Sequence, residues 1–198
     1  MSIATILGWV GAISGGVLTW VQVRRSQLHG SEGVSPLTWS LFLFMGVFWV
    51  SYGIALDSVP LIAGTVIVAP LQLWILLLVG FAKAWRSMAL ALGIVLATIM
   101  VPTAIWGWAA GALAIGVVMI VTRLPQITDL IVEPSVEGVS VSSWVIGCGN
   151  LGVWLIYYAA HHQVATVISM VMAITGNLVI IGLVEWRRRQ GARAGVQA

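Results

Sequence analysis

Charged residues are scarce in this chain of 198 residues. Asp, Glu, Lys and Arg together make up 8% of it, whereas 60% of the residues are hydrophobic. Soluble domains carry roughly a quarter charged residues, because their surfaces must be hydrated. The composition therefore excludes an ordinary soluble domain and predicts a chain that lies in a lipid bilayer. The single cysteine, Cys148, excludes an internal disulfide framework.

Side chains that carry catalysis or ion coupling are also missing from the apolar stretches. No Asp, Glu, Lys or Arg lies near the middle of any of them, and such charges mark proton relays and ion-coupled pumps. The chain has no HExxH motif and no nucleophile elbow. The pair His161-His162 offers two possible metal ligands, but adjacent side chains point in different directions. We therefore predict that the protein is not an enzyme and holds no metal or cofactor.

Long apolar runs are what the sequence does contain. A spanning helix needs about 20 mostly apolar residues, and these runs lack the alternation typical of β-strands. Seven segments qualify, at roughly 3–23, 36–56, 59–81, 87–105, 107–126, 141–160 and 163–185. The predicted fold class is therefore an all-α membrane protein with seven transmembrane helices.

The positions of the basic residues test this count. With seven crossings, all nine fall on one side of the membrane. That side is expected to be cytoplasmic, which places the N-terminus outside and the C-terminus inside a plasma (inner) membrane. Arg123 and Asp129 we interpret as solvated charges at helix ends, with pairing to the EGVS segment at 137–140 as the alternative. The basic tail, residues 187–198, is interpreted as a topology anchor, with contact to anionic lipid as the alternative.

One sequence pattern occurs twice, 105 residues apart. The tetrapeptide EGVS begins at Glu32 and again at Glu137. Each copy is followed at equal spacing by two tryptophans and a tyrosine, which are Trp39, Trp49 and Tyr52 in the first copy and Trp144, Trp154 and Tyr157 in the second. A match sustained over about 75 residues indicates a duplicated unit.

The duplication sets the predicted domain layout. Each copy holds three spans, so an unpaired fourth span is needed between them to keep the two copies parallel. We predict a 3+1+3 arrangement, with a first three-helix repeat at 1–83, a linker helix at 84–105, a second repeat at 106–186 and the tail at 187–198. One chain contains both halves, so a monomer is sufficient, and the sequence leaves a homo-oligomer open.

The repeated motifs resemble those of a known transporter family. Leu124-Pro125-Gln126, the EGVS copy at 137–140, Trp144 and the run from Asn150 to Tyr157 are similar to the PQ-loop superfamily. Within it they resemble the SWEET and SemiSWEET sugar transporters. The likeness covers nearly all of the chain except the linker span and the tail. Parallel repeats of this kind enclose a substrate site near the bilayer midplane.

The resemblance implies a function. We expect a membrane transporter that moves a small neutral solute by alternating-access facilitated diffusion. The expected solute is a sugar. The lack of charges within the spans favours uniport. The partners are then the solute and the lipid bilayer, and no nucleic acid is involved. Two alternatives stay open: a proton-coupled PQ-loop transporter of an amino acid or vitamin-like solute, and a membrane receptor or scaffold that does not transport.

The resemblance also assigns the substrate pocket to Trp49 and Trp154. An indole joins a large apolar face to one N–H donor, which suits the apolar face and hydroxyl rim of a sugar. Tryptophans of an interfacial belt are the alternative interpretation. Asn150 lies four residues before Trp154 and so shares its helical face. It is predicted either to bind the substrate or to join two helices.

Three positions in the third span of the repeats complete the predicted site. The family usually carries Asn at the positions that match Gly64 and Ser169, so this chain lacks those amides, which favours a smaller or less hydroxylated solute. Asn177 corresponds to Gln72 under the 105-residue shift. These two amides are predicted either to line the path or to bond neighbouring helices.

The hinge and gate are predicted from the Pro-Gln motif and the repeated tyrosines. In Pro125-Gln126 the proline removes one helical hydrogen bond and loosens its turn, which favours a hinge over a static kink. The first repeat has Val21-Gln22 at this place and lacks the proline. Tyr52 and Tyr157 are the remaining gate candidates.

Overall fold

The computed structural model describes residues 2–31, 34–124, 127, 130–131 and 141–196, and the regular structure within these ranges is helical. Its seven helices are α1 (Ile3–His29), α2 (Pro36–Ala55), α3 (Val59–Val79), α4 (Phe81–Val95, then a π-helical turn Leu96–Met100 and a last segment Val101–Trp106), α5 (Trp108–Val121), α6 (Val141–Ala160) and α7 (Val164–Val196). The predicted all-α fold is confirmed for the described ranges.

Five of the helices are long and apolar enough to cross a membrane. They are Ile3–Leu28, Pro36–Ala55, Val59–Val79, Ala84–Trp106 and Val164–Gln190. Trp108–Val121 and Trp144–Ala160 are shorter apolar stretches. The five long helices indicate an integral membrane protein, as the composition predicts.

The helices of the two halves begin at matching positions. The first residues of the matched helices lie 105 residues apart in each case, and the pairs are Ile3 and Trp108, Pro36 and Val141, and Val59 and Val164. The α2–α3 and α6–α7 connections are also alike. Their central residues, Asp57 and His162, both have left-handed backbone conformations, with φ of 50° and 56°. Asp and His tolerate this conformation better than most non-glycine residues.

Three backbone hydrogen bonds of the first turn recur in the second at equivalent positions. The bond that spans most residues joins the amide N of Ser58 to the carbonyl O of Gly53 at 2.8 Å, and in the second turn it joins Gln163 to Tyr158 at 2.9 Å. Both pairs are related by the 105-residue shift. The repeat seen in the sequence therefore corresponds to a repeated local structure.

Each half packs in the same order. In the first half α3 lies between α1 and α2, and in the second half α7 lies between α5 and α6. The halves meet mainly where α1 packs on α6, and α4 packs on α2, α3 and α5. The unpaired helix therefore occupies one side of the bundle, and the opposite side has direct contact between the halves.

Contacts between helix ends give the bundle two distinct ends. Tyr52, near the end of α2, has its ring 5.5 Å from that of Trp108 at the start of α5. Tyr157, near the end of α6, bonds Ser58 just before α3. We call this the tyrosine end. At the opposite end α1, α3, α5 and α7 finish, and we call it the basic end after Arg24, Arg25 and Arg123.

Candidate functional site

A cavity of about 520 Å³ lies between the two halves of the bundle. Its lining residues come from α1, α2, α3, α6 and α7, together with the C-terminal part of α5 and the turn that follows. Small-molecule sites in proteins commonly measure roughly 300–1,000 Å³. The cavity therefore has the size and the shared lining expected of a binding site between two halves.

Trp49 and Trp154 both line this cavity, and a third ring joins them. The ring of Tyr158 stacks on Trp49 with centroids 6.1 Å apart and on Trp154 at 5.9 Å. Tyr158 is only 1% exposed. It forms an aromatic floor between the two indoles, which gives the cavity a broad apolar surface at this depth. Sequence reasoning missed Tyr158, because the shift pairs it with Gly53 and the repeat does not mark it.

Asn150 lines the cavity and also joins the halves. Its amide nitrogen donates to Ser14 Oγ at 2.7 Å and to the carbonyl O of Gly11 at 3.1 Å, both on α1. A side-chain amide in lipid is stable only with such partners. Both donor positions of Asn150 are therefore used between α6 and α1, while its oxygen makes no such bond within the described ranges.

Gly64 and Asn177 contribute to the cavity lining, and so does Gln72, the counterpart of Asn177. Ser169 does not. Its hydroxyl donates to the carbonyl O of Ala112 on α5 and, at 3.1 Å, to that of Ala165 in its own helix. Because α5 approaches α7 closely at this level, Ser169 is fully buried. The structure thus separates Ser169 from the other predicted site residues.

Gly64 lies at a close approach of α1 and α3. A Cβ atom added there would be 2.9 Å from Ala12 Cβ, whereas one added at Gly93 in α4 would meet nothing within 4 Å. We expect Gly64→Ala to destabilise the protein by about 1–3 kcal/mol through overpacking. Gly93→Ala, the matched control, should be neutral or slightly stabilising. Thermal unfolding of both variants in detergent tests this, and equal midpoints would contradict it.

At the tyrosine end, hydrogen bonds join the two halves. Tyr52 Oη donates to Gln163 Oε1 at 2.8 Å, and Tyr157 Oη is 2.5 Å from Ser58 Oγ. Ser58 and Gln163 are matched by the 105-residue shift, so the two bonds are reciprocal. Thr166 Oγ1 adds a third contact to Tyr52 Oη at 3.1 Å. We call these five residues the tyrosine layer.

Toward the basic end the cavity continues along the first turns of α2 and α6, where Trp39 and Trp144 line it. Arg123 lies here, 8% exposed, and its side chain packs where Gly176 has no Cβ. Its Nε donates to Asn177 Oδ1 at 2.7 Å. The interpretation of Arg123 as a solvated end charge is therefore wrong, because the side chain turns inward against α7.

The predicted hinge is only partly described. Pro125 and Gln126 lie outside the described residues. Gln22 donates through Nε2 to Ser26 Oγ at 3.2 Å within α1 and does not line the cavity. The described helices contain an interior proline that sequence reasoning passed over, Pro70 in α3. It removes one backbone hydrogen bond from that helix.

From the tyrosine end to the basic end, the structure thus contains the tyrosine layer, the aromatic floor and a polar section with one arginine. Comparison with protein-family models, with curated proteins and with solved structures finds no match for this chain.

Proposed function

We propose that the protein is a membrane carrier that moves a small solute by alternating access, as its resemblance to SWEET transporters implies. The observation that carries the proposal is a cavity between two similar halves, which are hydrogen-bonded to each other at the tyrosine end, with a lining that extends toward the basic end. A carrier needs a site between two units that can rock against each other. Hexose-like rings, which suit the indoles of Trp49 and Trp154, are the expected body of the solute.

We propose seven crossings in a 3+1+3 arrangement. The alternating direction of the helices supports it. Trp108–Val121 is short, about 21 Å at 1.5 Å per residue, so its crossing requires part of the chain that follows Val121. The basic end is then cytoplasmic, and the closed tyrosine layer faces outward.

Uniport is the proposed mode. The acidic residues within the described ranges are Asp57, in a turn, and Glu185, which pairs with Arg188 on the surface. Neither lines the cavity. Among the described residues, no carboxylate is placed to carry a coupled proton through the cavity. This favours a carrier driven by the solute gradient alone.

Counterflow in proteoliposomes tests this function. Vesicles that contain the purified protein are preloaded with one unlabelled compound from a panel of hexoses, hexuronates and neutral amino acids, and the same compound is then added outside with a label. We expect transient accumulation of label for at least one sugar-like compound, with the same rate when a pH gradient is imposed. Liposomes without protein are the control.

Two results would overturn the proposal. Uptake that appears only with an inward proton gradient would identify a proton-coupled transporter. Absence of counterflow across the whole panel, from protein that elutes as a single folded species, would favour a receptor or scaffold.

A further inference from the structure

Arg123 is a buried cation in the lining of the cavity. Its Nε donates to Asn177 Oδ1 at 2.7 Å, and its Nη1 donates to the carbonyl O of Met119. A guanidinium has five N–H groups, so these two bonds leave others without a described partner. Because no fully buried side-chain nitrogen lacks a partner in the described ranges, the remaining guanidinium nitrogen keeps some accessible surface, and Arg123 is one of the residues that line the cavity.

The described lining contains no charge that balances this guanidinium. Besides Arg123, the tryptophans and Tyr158, its polar members are threonines, Gln72, Asn150 and Asn177, and none of its residues is Asp or Glu. The threonines largely donate to carbonyls of their own helices, as Thr65 does to Leu61 at 2.9 Å. A buried cation beside neutral groups attracts an anion strongly, since the low dielectric weakens screening.

We propose that the cavity binds a solute with one carboxylate, which pairs with Arg123 while the body of the solute lies on the aromatic floor. This inference rests on the proposed carrier function and changes the expected solute from a neutral sugar to a sugar-like acid. A carboxylate matches the planar fork of a guanidinium and its single charge. A phosphate monoester carries close to two negative charges, so the bound complex would keep a net charge inside the membrane.

The charge of Arg123 has no counterpart in the first half. The 105-residue shift pairs it with Leu18, which lines the cavity from α1. Only one of the two equivalent positions is charged, so the cavity carries a positive charge on one side only. A bound acid should therefore take one orientation, with its carboxylate toward the basic end and its ring toward Tyr158.

Binding of glucose and glucuronate to the purified protein tests the proposal, because the two differ only in a hydroxymethyl group and a carboxylate. Quenching of tryptophan fluorescence by each compound gives its Kd without any need for transport. We expect glucuronate to bind at least about tenfold more tightly than glucose. Arg123→Gln should remove this preference and Arg123→Lys should retain part of it. Arg86→Gln, which removes an exposed charge outside the lining, should leave the ratio unchanged.

The outcomes separate this inference from the carrier function. Equal Kd values in the native protein, or a preference that survives Arg123→Gln, would overturn the carboxylate site. Asp129 lies outside the described residues. If glucuronate were preferred over glucose only in the Asp129→Asn variant and not in the native protein, Asp129 would already balance the charge of Arg123. That result would also overturn the carboxylate site. Counterflow of glucose but not of glucuronate would support the carrier function and contradict the carboxylate site. Tight glucuronate binding without any counterflow would do the reverse.

Discussion

Replacement of either Trp49 or Trp154 by alanine is expected to reduce counterflow by about thirtyfold at low solute concentration. Both indoles line the cavity and stack on Tyr158, so each supplies apolar area to the bound ring. Truncation of a central aromatic contact typically costs about 2 kcal/mol of binding free energy, which is roughly thirtyfold in Kd. The measurement is the initial rate of counterflow, together with the Kd from isothermal titration.

Controls separate this effect from misfolding. Trp106 is 70% exposed at the end of α4 and does not line the cavity, so Trp106→Ala should keep the native rate. Trp154→Phe retains an aromatic face beside Gly11 and should lose less than Trp154→Ala. If Trp154→Ala and Trp106→Ala were equally active, the indoles would have no role in solute binding and the cavity would not be the transport site.

The second large effect is expected at the tyrosine layer. Tyr52→Phe together with Tyr157→Phe removes the hydroxyls that bond Gln163, Thr166 and Ser58 across the halves. If each tyrosine hydroxyl contributes about 1 kcal/mol net, loss of both should shift the equilibrium toward an open tyrosine end by about 2 kcal/mol, roughly thirtyfold. Access to the cavity from that end should rise accordingly.

A cavity cysteine reports this access. Thr65 lines the cavity, and Cys148 is the chain's one cysteine. Thr65→Cys is therefore introduced in a Cys148→Ser background, and an impermeant maleimide is applied from each side of the vesicle. Thr98→Val is the matched control, because the Thr98 hydroxyl bonds only within its own helix, at 2.7 Å to Ile94. A labelling rate from the tyrosine end that is unchanged by the double substitution would contradict a gating role.

Helical elements were predictable from the sequence because each is specified locally. The segment predicted at 141–160 is observed as Val141–Ala160, and the one predicted at 36–56 as Pro36–Ala55. The predicted first span, 3–23, proved too short, since α1 extends to His29. Hydropathy marks where lipid ends, whereas a helix can continue into water through Arg24 and Arg25.

Contacts between distant residues were not predictable in the same way. The bond between Ser58 and Tyr157 joins residues 99 apart, and no local pattern encodes such a pairing. The 105-residue shift offered one clue, since it aligns two polar residues, Ser58 and Gln163, at the start of the third helices. For Arg123 the missing clue was Gly176, whose lack of a Cβ leaves space for the arginine side chain. Such spaces depend on how two helices meet.

The aromatic floor has a consequence for how the halves depend on each other. Tyr158 comes from the second half alone, and its counterpart, Gly53, sits where an added Cβ would lie 2.8 Å from Ile62. A tyrosine at position 53 would therefore have to displace Ile62 of α3, so the first half does not readily supply a second ring of this kind. The ring between the two indoles comes from one half alone, so the duplicated units make unequal contributions to the cavity.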